Sequence, residues 1–236
     1  MRRHMFSPRK LRSRFAPALA AAVAAIAFIV LPSHAQSASD HKPSYSDYRR
    51  GLFALSKVQS AAIVMLGDSL TEGAPWHELT GCPDLVNRGI GGDTTQRVLD
   101  RLDEVAKLKP RAVFLMIGVN DITRGVAPAT TLGNLRAVLD RLEALKTRTF
   151  LAYVLPVTAS YPKKDFNDQI TALNGKIAGV LAEHPATAAI DLRPLLRGAD
   201  GYLREELSFD GLHLSPKGYA VWRDAIAPEV AEFCAR

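Results

Sequence analysis

Short apolar runs alternate with longer amphipathic stretches along most of the chain, from residue 61 onward. The short runs stop at Gly, Asn or Asp, which is typical of buried strands. They predict five strands, at residues 61–66, 85–87, 112–117, 149–154 and 188–191. The amphipathic stretches predict helices at residues 94–108, 128–145 and 166–183. Strands that alternate with helices indicate a parallel sheet, so we expect an α/β fold: a three-layer α/β/α sandwich with a five-stranded parallel sheet.

A last helix is expected near the C-terminus. Ser215 is suited to be its N-cap and Pro216 to be its first residue, because proline lacks an N–H that would be unpaired there. Apolar residues then recur as far as Phe233. The sequence has no internal repeat and no sign of a second domain, so we expect residues 59–236 to form one domain.

The first 35 residues have a different pattern. Six basic residues and no acidic residue lie before residue 16, and an apolar run follows from Ala18 to Leu31. With Ser33 and Ala35 at the small-residue positions of a cleavage site, this arrangement is typical of a secretory signal peptide. An uncleaved membrane anchor is the alternative, but the apolar run is shorter than the roughly 20 residues that a spanning helix needs. We expect cleavage near Ala35, no integral membrane segment afterwards, and a periplasmic or secreted protein.

Residues 36–58 are expected to form a linker and an N-terminal extension between the signal peptide and the domain. Residues 36–48 are rich in Ser, Asp, His, Lys and Pro, which is typical of an exposed linker. A short helix is expected at residues 49–59.

The positive charge of the chain belongs to the signal peptide. The formal net charge is +6, from 30 basic and 24 acidic residues, and loss of the six basic residues leaves 24 of each sign. The remaining chain therefore has no basic excess, and we expect no nucleic-acid partner.

Two cysteines, Cys82 and Cys234, remain after cleavage. An oxidising compartment permits a disulfide between them, and two buried free thiols are the alternative.

Three predicted strands end in polar, glycine-rich sequence. The first is followed by Gly67-Asp68-Ser69, the second runs into Asn-Arg-Gly-Ile-Gly-Gly-Asp at residues 87–93, and the third into Gly-Val-Asn-Asp at residues 118–121. Because the carboxyl ends of parallel strands open on one edge of the sheet, we expect these segments to meet. A serine there is a nucleophile only if a base, an orienting acid and oxyanion donors lie nearby.

A candidate acid and base lie close together near the C-terminus. Asp210 and His213 are three positions apart in a loop ahead of the last helix. Such a loop can hold Asp210 against one imidazole nitrogen, which leaves the other to take the Ser69 proton. Asp191, at the end of the fifth predicted strand, is a competing orienting acid. Three other histidines follow the cleavage site and are less suited to the role of base: His41, His77 and His184.

Taken in order, these segments resemble the four motif blocks of the SGNH, or GDSL, hydrolase family over about residues 60–233. The resemblance implies a flavodoxin-like arrangement of the sheet and a serine esterase that needs no cofactor. The segment at residues 87–95 is similar to the platelet-activating-factor acetylhydrolase-like branch of the family.

The resemblance also implies a role for each motif residue. Ser69 would be the nucleophile, with Asp210 and His213 completing a catalytic triad. The N–H groups of Ser69 and Gly92 and the side-chain amide of Asn120 would form the oxyanion hole, which needs two or three fixed donors. Glycine suits that position because it lets the backbone approach a ligand closely. Asn120 has a second interpretation, as a residue of the turn after a strand.

Three aspartates beside these residues could suggest a metal cluster: Asp68, Asp93 and Asp121. Aspartate next to Gly or Asn is equally common in turns that end strands. We expect structural hydrogen bonds from them, and neither a metal nor a cofactor.

The sequence fits neither a dinucleotide-binding site nor the nucleophile turn of the α/β-hydrolases. The glycines at 89, 91 and 92 lack the third glycine of the dinucleotide fingerprint, because residue 94 is Thr94. The Gly-x-Ser-x-Gly pattern of α/β-hydrolases is also absent, since Thr71 stands at the position of its second glycine.

The sequence therefore predicts an exported esterase that acts on a small-molecule or lipid acyl ester. Short acyl esters, lysophospholipids, thioesters and acetylated sugars all remain candidate substrates. Acyl transfer to a sugar hydroxyl is an alternative within the same chemistry, and a noncatalytic envelope binding module is an alternative outside it.

Overall fold

The computed structural model describes residues 43–234. Its sheet has five parallel strands in the order β2-β1-β3-β4-β5, as in flavodoxin-like folds. This confirms the predicted α/β fold and its five-stranded parallel sheet. The strands are β1 (Ile63–Gly67), β2 (Leu85–Gly89), β3 (Ala112–Met116), β4 (Arg148–Ala152) and β5 (Thr187–Ile190).

The position of β1 determines where the loops meet. β1 pairs with β2 on one side and with β3 on the other, so Ile63 lies opposite both Leu85 and Ala112. The chain leaves β1 toward one side of the sheet and later returns on the other side. In such sheets a crevice opens at the carboxyl ends of the strands, where the order reverses.

Helices cover the sheet in two groups of neighbours. One group includes α4, α7 and α8, and the other includes α3, α9 and α10. The helices are α1 (Tyr45–Leu55), α2 (Ser69–Glu72), α3 (Trp76–Thr80), α4 (Thr95–Asp100), α5 (Leu102–Ala106), α6 (Val119–Thr123), α7 (Pro128–Ala144), α8 (Phe166–Glu183), α9 (Arg193–Leu196) and α10 (Pro216–Phe233), with a 3₁₀ turn at Glu205–Leu207. Every residue of β1 and β3 is buried, which explains why both read as unbroken apolar runs.

Helix α10 begins as the sequence predicts. The Ser215 side chain accepts a hydrogen bond from the N–H of Gly218, and Pro216 occupies the first turn. Near the other end of the helix, Cys234 forms a disulfide with Cys82, and their Cα atoms are 5.7 Å apart. The disulfide is therefore the alternative that the structure adopts, and it joins the end of α10 to the turn before β2.

The prediction of one helix over residues 94–108 was wrong. Two short helices, α4 and α5, meet at Arg101, whose backbone is not helical (φ −111°, ψ 11°). The Arg101 side chain is 1% exposed and donates to Asp93 Oδ2 at 2.8 Å and to the Gly67 carbonyl at 3.1 Å. The helix breaks where this charged side chain enters the core.

The N-terminal extension also differs from the prediction. Residues 45–48 were expected to be linker, but they form the first turn of α1, which ends at Leu55 rather than at residue 59. Ser44 and Asp47 cap the helix reciprocally: the Ser44 side chain accepts from the Asp47 N–H, and the Asp47 carboxylate accepts from the Ser44 N–H. This capping box fixes the start of the helix.

The predicted signal peptide and residues 36–42 of the predicted linker lie outside the described residues. Between residues 43 and 234, no helix is both long enough and apolar enough to cross a membrane.

Candidate active site

Ser69 lies just after the carboxyl end of β1, where helix α2 begins. Gly67 ends the strand in a place where a Cβ would come within 2.3 Å of the Met116 carbonyl oxygen, so only glycine fits there. Asp68 then caps α2 by accepting the N–H of Leu70 at 3.0 Å. Ser69 is the first residue of this short helix and is half-buried at the edge of the sheet.

The structure brings Ser69, His213 and Asp210 together in one chain of hydrogen bonds. Ser69 Oγ lies 2.9 Å from His213 Nε2, and His213 Nδ1 lies 2.6 Å from Asp210 Oδ2. The other oxygen of Asp210 accepts the backbone N–H groups of His213 at 2.7 Å and of Leu212 at 3.0 Å. One carboxylate therefore holds both the imidazole ring and the loop that carries it.

Asp210 keeps its negative charge in this setting. Partial burial opposes the charge, but the hydrogen bonds from His213 and Leu212 outweigh it and hold the pKa of Asp210 below its usual value. An ionised carboxylate only accepts hydrogen bonds, so the imidazole proton lies on Nδ1. With that proton on Nδ1, Nε2 is the nitrogen that can accept the Ser69 hydroxyl proton.

The competing acid and two of the other histidines are engaged elsewhere. Asp191 is bonded to Arg193, with Nε 2.7 Å from Oδ1. His184 is buried between the Val180 carbonyl and Asp140, at 2.8 and 3.0 Å. His77 is an exposed neighbour of Glu78. His41 lies outside the described residues. Within the described chain, only His213 has both a serine and a carboxylate on its ring.

Gly92 lies in the loop after β2 and has a positive φ of 77°, in the region that favours glycine. Its carbonyl accepts a hydrogen bond from Arg124 at 2.9 Å. Its N–H has no acceptor among residues 43–234. Gly91, the residue before it, lies close to Ser69, since a Cβ built on Gly91 would be 3.8 Å from Ser69 Cβ. The loop therefore brings an unpaired backbone donor to the serine.

Asn120 follows the carboxyl end of β3 and lies in the first turn of α6. Its Nδ2 donates to the Asp93 carbonyl at 3.0 Å, so Asn120 is bonded to the residue after Gly92. An amide nitrogen carries two hydrogens, and the second remains available for a ligand. The five residues predicted for the site thus lie just after the carboxyl ends of β1, β2 and β3 and in the loop before α10.

The three neighbouring aspartates make the structural hydrogen bonds that were predicted. Asp68 caps α2, Asp93 is paired with Arg101, and Asp121 accepts from the N–H and hydroxyl of Thr95 at 2.9 and 2.5 Å. Within residues 43–234, no group of three His, Cys, Asp or Glu side chains is placed to hold a metal ion.

Asp68 is the most perturbed of these carboxyls. It is fully buried, and one of its oxygens has no hydrogen-bond partner within the described chain. Burial raises its pKa to about 7, the charges of Asp93 and Asp121 add to the rise, and the hydrogen bond from Leu70 opposes it. Asp68 therefore changes protonation near neutral pH.

An open cavity of about 320 Å³ lies beside the serine and histidine. The Phe209 ring stacks on the His213 imidazole with centroids 5.7 Å apart, and Phe209 is 73% exposed. The Tyr219 hydroxyl donates to the Leu70 carbonyl at 2.9 Å. The residues that line the cavity are Ser69, Gly73, Phe209, His213, Leu214, Pro216 and Tyr219.

Sequence reasoning missed several residues that shape this site. Phe209 was detectable, because it directly precedes Asp210 in the motif. Arg101 was not, since an arginine in an amphipathic helix is usually on the solvated face. Arg124 was not, since its contact with the Gly92 carbonyl joins residues 32 positions apart. Glu72 belongs to the first motif block, but its contacts come from residues distant in sequence.

Comparisons with known proteins identify the family to which the chain belongs. Residues 65–221 match the profile of the GDSL-like lipase/acylhydrolase family. The chain is 30% identical over 173 residues to human platelet-activating factor acetylhydrolase IB subunit alpha1, covering 70% of this chain and 73% of the relative. It is 33% identical over 129 residues to thioesterase 1/protease 1/lysophospholipase L1 of Escherichia coli, covering 49% of this chain and 61% of the relative.

A solved structure has the same fold. The lipase/acylhydrolase from Enterococcus faecalis superposes with a TM-score of 0.62 at 28% identity, over 73% of this chain and 96% of that one. Residues 65–221, which match the family profile, include Ser69, Gly92, Asn120, Asp210 and His213.

Proposed function

Because the chain belongs to the GDSL-like lipase/acylhydrolase family, we propose that it is a serine esterase that hydrolyses carboxylic esters through an acyl-enzyme on Ser69. One observation carries the proposal: the continuous contact from Ser69 Oγ to His213 Nε2 and from His213 Nδ1 to Asp210, at 2.9 and 2.6 Å. A serine hydroxyl becomes a strong nucleophile only when such a base takes its proton.

In the first half of the reaction, Ser69 Oγ attacks the ester carbonyl carbon while its proton moves to His213 Nε2. The charged Asp210 stabilises the imidazolium that forms, without taking the proton itself. The carbonyl oxygen becomes an oxyanion, for which the N–H groups of Ser69 and Gly92 and the amide of Asn120 are the donors. The tetrahedral intermediate then collapses, and the leaving alcohol takes the proton from His213.

The second half repeats these steps with water. His213 Nε2 takes a proton from a water molecule as it attacks the acyl carbonyl, and the same donors stabilise the second oxyanion. The acyl group leaves as a carboxylic acid, and the proton on His213 returns to Ser69 Oγ. The net reaction is ester plus water to acid plus alcohol.

The substrate is expected to be a small-molecule or lipid acyl ester. The cavity beside Ser69 has a volume of about 320 Å³ and is open to solvent, and the exposed Phe209 ring forms part of its lining. The names of the two relatives describe an acetylhydrolase subunit and a thioesterase, protease and lysophospholipase, which supports an acyl substrate here.

We also propose that the protein is exported after cleavage near Ala35. The basic and apolar leader supports this, and so does the Cys82–Cys234 disulfide, since such bonds persist in oxidising compartments. Mass measurement of the protein purified from the periplasm or medium tests both points. A full-length mass in the cytoplasm with two free thiols would contradict them.

Hydrolysis of p-nitrophenyl acetate and of its longer acyl homologues tests the esterase proposal. The Ser69→Ala variant is expected to lose hydrolysis, whereas Ser60→Ala, at an exposed serine before β1, is expected to keep it. Equal rates for the wild type and Ser69→Ala would overturn the nucleophile assignment. A parallel reaction with added sugar acceptors separates hydrolysis from acyl transfer.

A further inference from the structure

Helix α1 lies outside the residues that match the family profile, yet its first turn reaches the loop of the oxyanion hole. The Tyr45 hydroxyl donates to Glu72 Oε1 at 2.8 Å. The Arg49 guanidinium forms an ion pair with the same oxygen, also at 2.8 Å. Two groups of α1 therefore hold one oxygen of the Glu72 carboxylate.

The other oxygen of Glu72 holds the oxyanion loop. Glu72 Oε2 accepts the N–H of Gly91 at 2.6 Å. A Cβ built on Gly91 would lie 3.0 Å from this oxygen, 3.5 Å from the Tyr45 ring and 3.8 Å from Ser69 Cβ. The side of Gly91 on which a side chain would stand therefore faces the carboxylate, the tyrosine ring and the nucleophilic serine.

The peptide between Gly91 and Gly92 carries the N–H that would bind the oxyanion. Its direction depends on what holds the loop on each side. Glu72 holds the Gly91 N–H on one side, and Arg124 holds the Gly92 carbonyl at 2.9 Å on the other. Hydrogen bonds to a carboxylate are stronger than those between neutral groups, so Glu72 can hold the Gly91 N–H firmly. The position of that N–H then depends on the orientation of the Glu72 carboxylate.

We propose that Tyr45 is a positioning residue of the active site: through Glu72, it holds Gly91 so that the N–H of Gly92 is directed at the oxyanion. This inference rests on the proposed esterase function and adds α1 to the site. The hydrogen bond to Glu72 and burial hold the pKa of Tyr45 above its ordinary value, so its hydroxyl remains a donor in mildly alkaline solution.

The first test is kinetic and uses Tyr45→Phe, which removes the hydroxyl and keeps the ring. Its kcat for p-nitrophenyl acetate is expected to fall roughly 3- to 10-fold, and its KM to stay within about twofold of the wild-type value. Misdirecting one oxyanion donor should lower kcat less than removing it, which lowers kcat by about 10²- to 10³-fold. The matched control is Tyr48→Phe, on the same helix, whose hydroxyl has no partner within the described chain and whose kcat is expected to be unchanged.

Non-additivity then shows whether Tyr45 acts through Glu72. Glu72→Gln is expected to lower kcat more than Tyr45→Phe does. The double variant is expected to be no slower than Glu72→Gln alone, because the hydroxyl has no further effect once the carboxylate is lost. Independent, multiplicative losses would overturn the proposed route.

The second test does not depend on catalysis. The amide proton of Gly91 is expected far downfield in a ¹H–¹⁵N spectrum of the wild type, because it donates to a carboxylate. Tyr45→Phe is expected to move the Gly91 and Gly92 signals, and Tyr48→Phe to leave them in place. Unmoved signals in Tyr45→Phe would overturn the positioning role even if kcat changes. A wild type that hydrolyses no ester would instead overturn the proposed function. The spectra would still show whether Tyr45 positions Gly91 through Glu72.

Discussion

Arg101 and Asp93 form an ion pair of 2.8 Å in which both side chains are buried, and Asp93 directly follows Gly92 in the oxyanion loop. Asp93 also accepts from the Ser46 hydroxyl at 3.3 Å, and its carbonyl accepts from Asn120. The pair therefore joins the core, helix α1 and the loop that carries the proposed oxyanion donors.

Removing one partner of this pair is expected to destabilise the protein strongly. Arg101→Met leaves the buried Asp93 carboxylate without its charged partner, which costs about 3 to 5 kcal/mol of the free energy of unfolding. Urea denaturation of the two proteins measures the difference. Arg141→Met is the matched control, because Arg141 pairs with Asp103 at the surface, where an ion pair contributes roughly 0 to 1 kcal/mol. Equal losses for the two variants would contradict the expectation.

Asp210→Asn is expected to lower kcat by on the order of 10³- to 10⁴-fold without unfolding the protein. An asparagine can donate to His213 Nδ1, which moves the ring proton to Nε2 and leaves Ser69 without a base. Ester hydrolysis and thermal denaturation measure the two quantities separately. Asp191→Asn, at the acid that competed for this role in the sequence, is expected to retain full kcat. A similar loss in that variant would undermine the assignment of Asp210.

Asn120→Ala tests the oxyanion hole. Loss of one donor is expected to reduce kcat by about 10²- to 10³-fold, or about 3 to 4 kcal/mol of the barrier, with a smaller effect on KM. Asn134→Ala removes another side-chain amide near the same loops, which bonds Thr95 at 3.2 Å, and is expected to leave kcat unchanged. If Asn120 were only a turn residue, kcat would change little in both Asn120→Ala and Asn134→Ala.

The buried carboxyl of Asp68 is expected to make stability depend on pH. Its pKa is about 7 in the folded protein and near the ordinary value of 3.8 in the unfolded chain, so folding takes up a proton between these values. This contribution to the free energy of unfolding therefore falls as pH rises from about 4 to about 7, by on the order of a few kcal/mol, and is constant above that range.

Asp68→Asn removes this titration and retains an oxygen that can accept the Leu70 N–H. The stability of the variant relative to the wild type is expected to increase as pH rises through this interval. Denaturation curves of both proteins at several pH values measure the difference, in which groups common to the two cancel. A difference that stays constant with pH would contradict the raised pKa.

The disulfide is expected to stabilise the domain by about 2 to 5 kcal/mol, because it closes a loop between cysteines 152 positions apart and so restricts the unfolded chain. A variant with Cys82→Ser and Cys234→Ser should unfold at lower denaturant concentration than the oxidised wild type. Adding reductant should lower the stability of the wild type alone. Sensitivity of the double serine variant to reductant would mean that the loss has another cause.

The sheet and the four motif segments were predictable because local pattern determines them. β1 and β3 are buried on both faces and therefore read as continuous apolar runs, and Ser215-Pro216 marks the start of α10 by capping chemistry alone. The acid and base of the site were recognisable because Asp210 and His213 lie in one short loop.

The rest depends on contacts between distant residues. Apolar spacing from Val98 through Leu102 to Val105 continues across Arg101, so nothing local indicates that this side chain turns inward and breaks the helix. Tyr45 and Glu72 are 27 positions apart, and the segment before residue 49 is polar enough to resemble a linker. Its helix is recognised from the capping box and from tertiary contacts, not from an apolar face.

Ser69 and His213 lie 144 positions apart in the chain, so the ribosome makes the nucleophile long before it makes the base. A growing chain that has not reached residue 210 carries a serine at the end of a strand with no group to take its proton. With export as proposed, the reactive serine comes into being only when the last loop docks. The long separation therefore makes the reactivity of Ser69 depend on complete synthesis and folding of the domain, in whichever compartment that takes place.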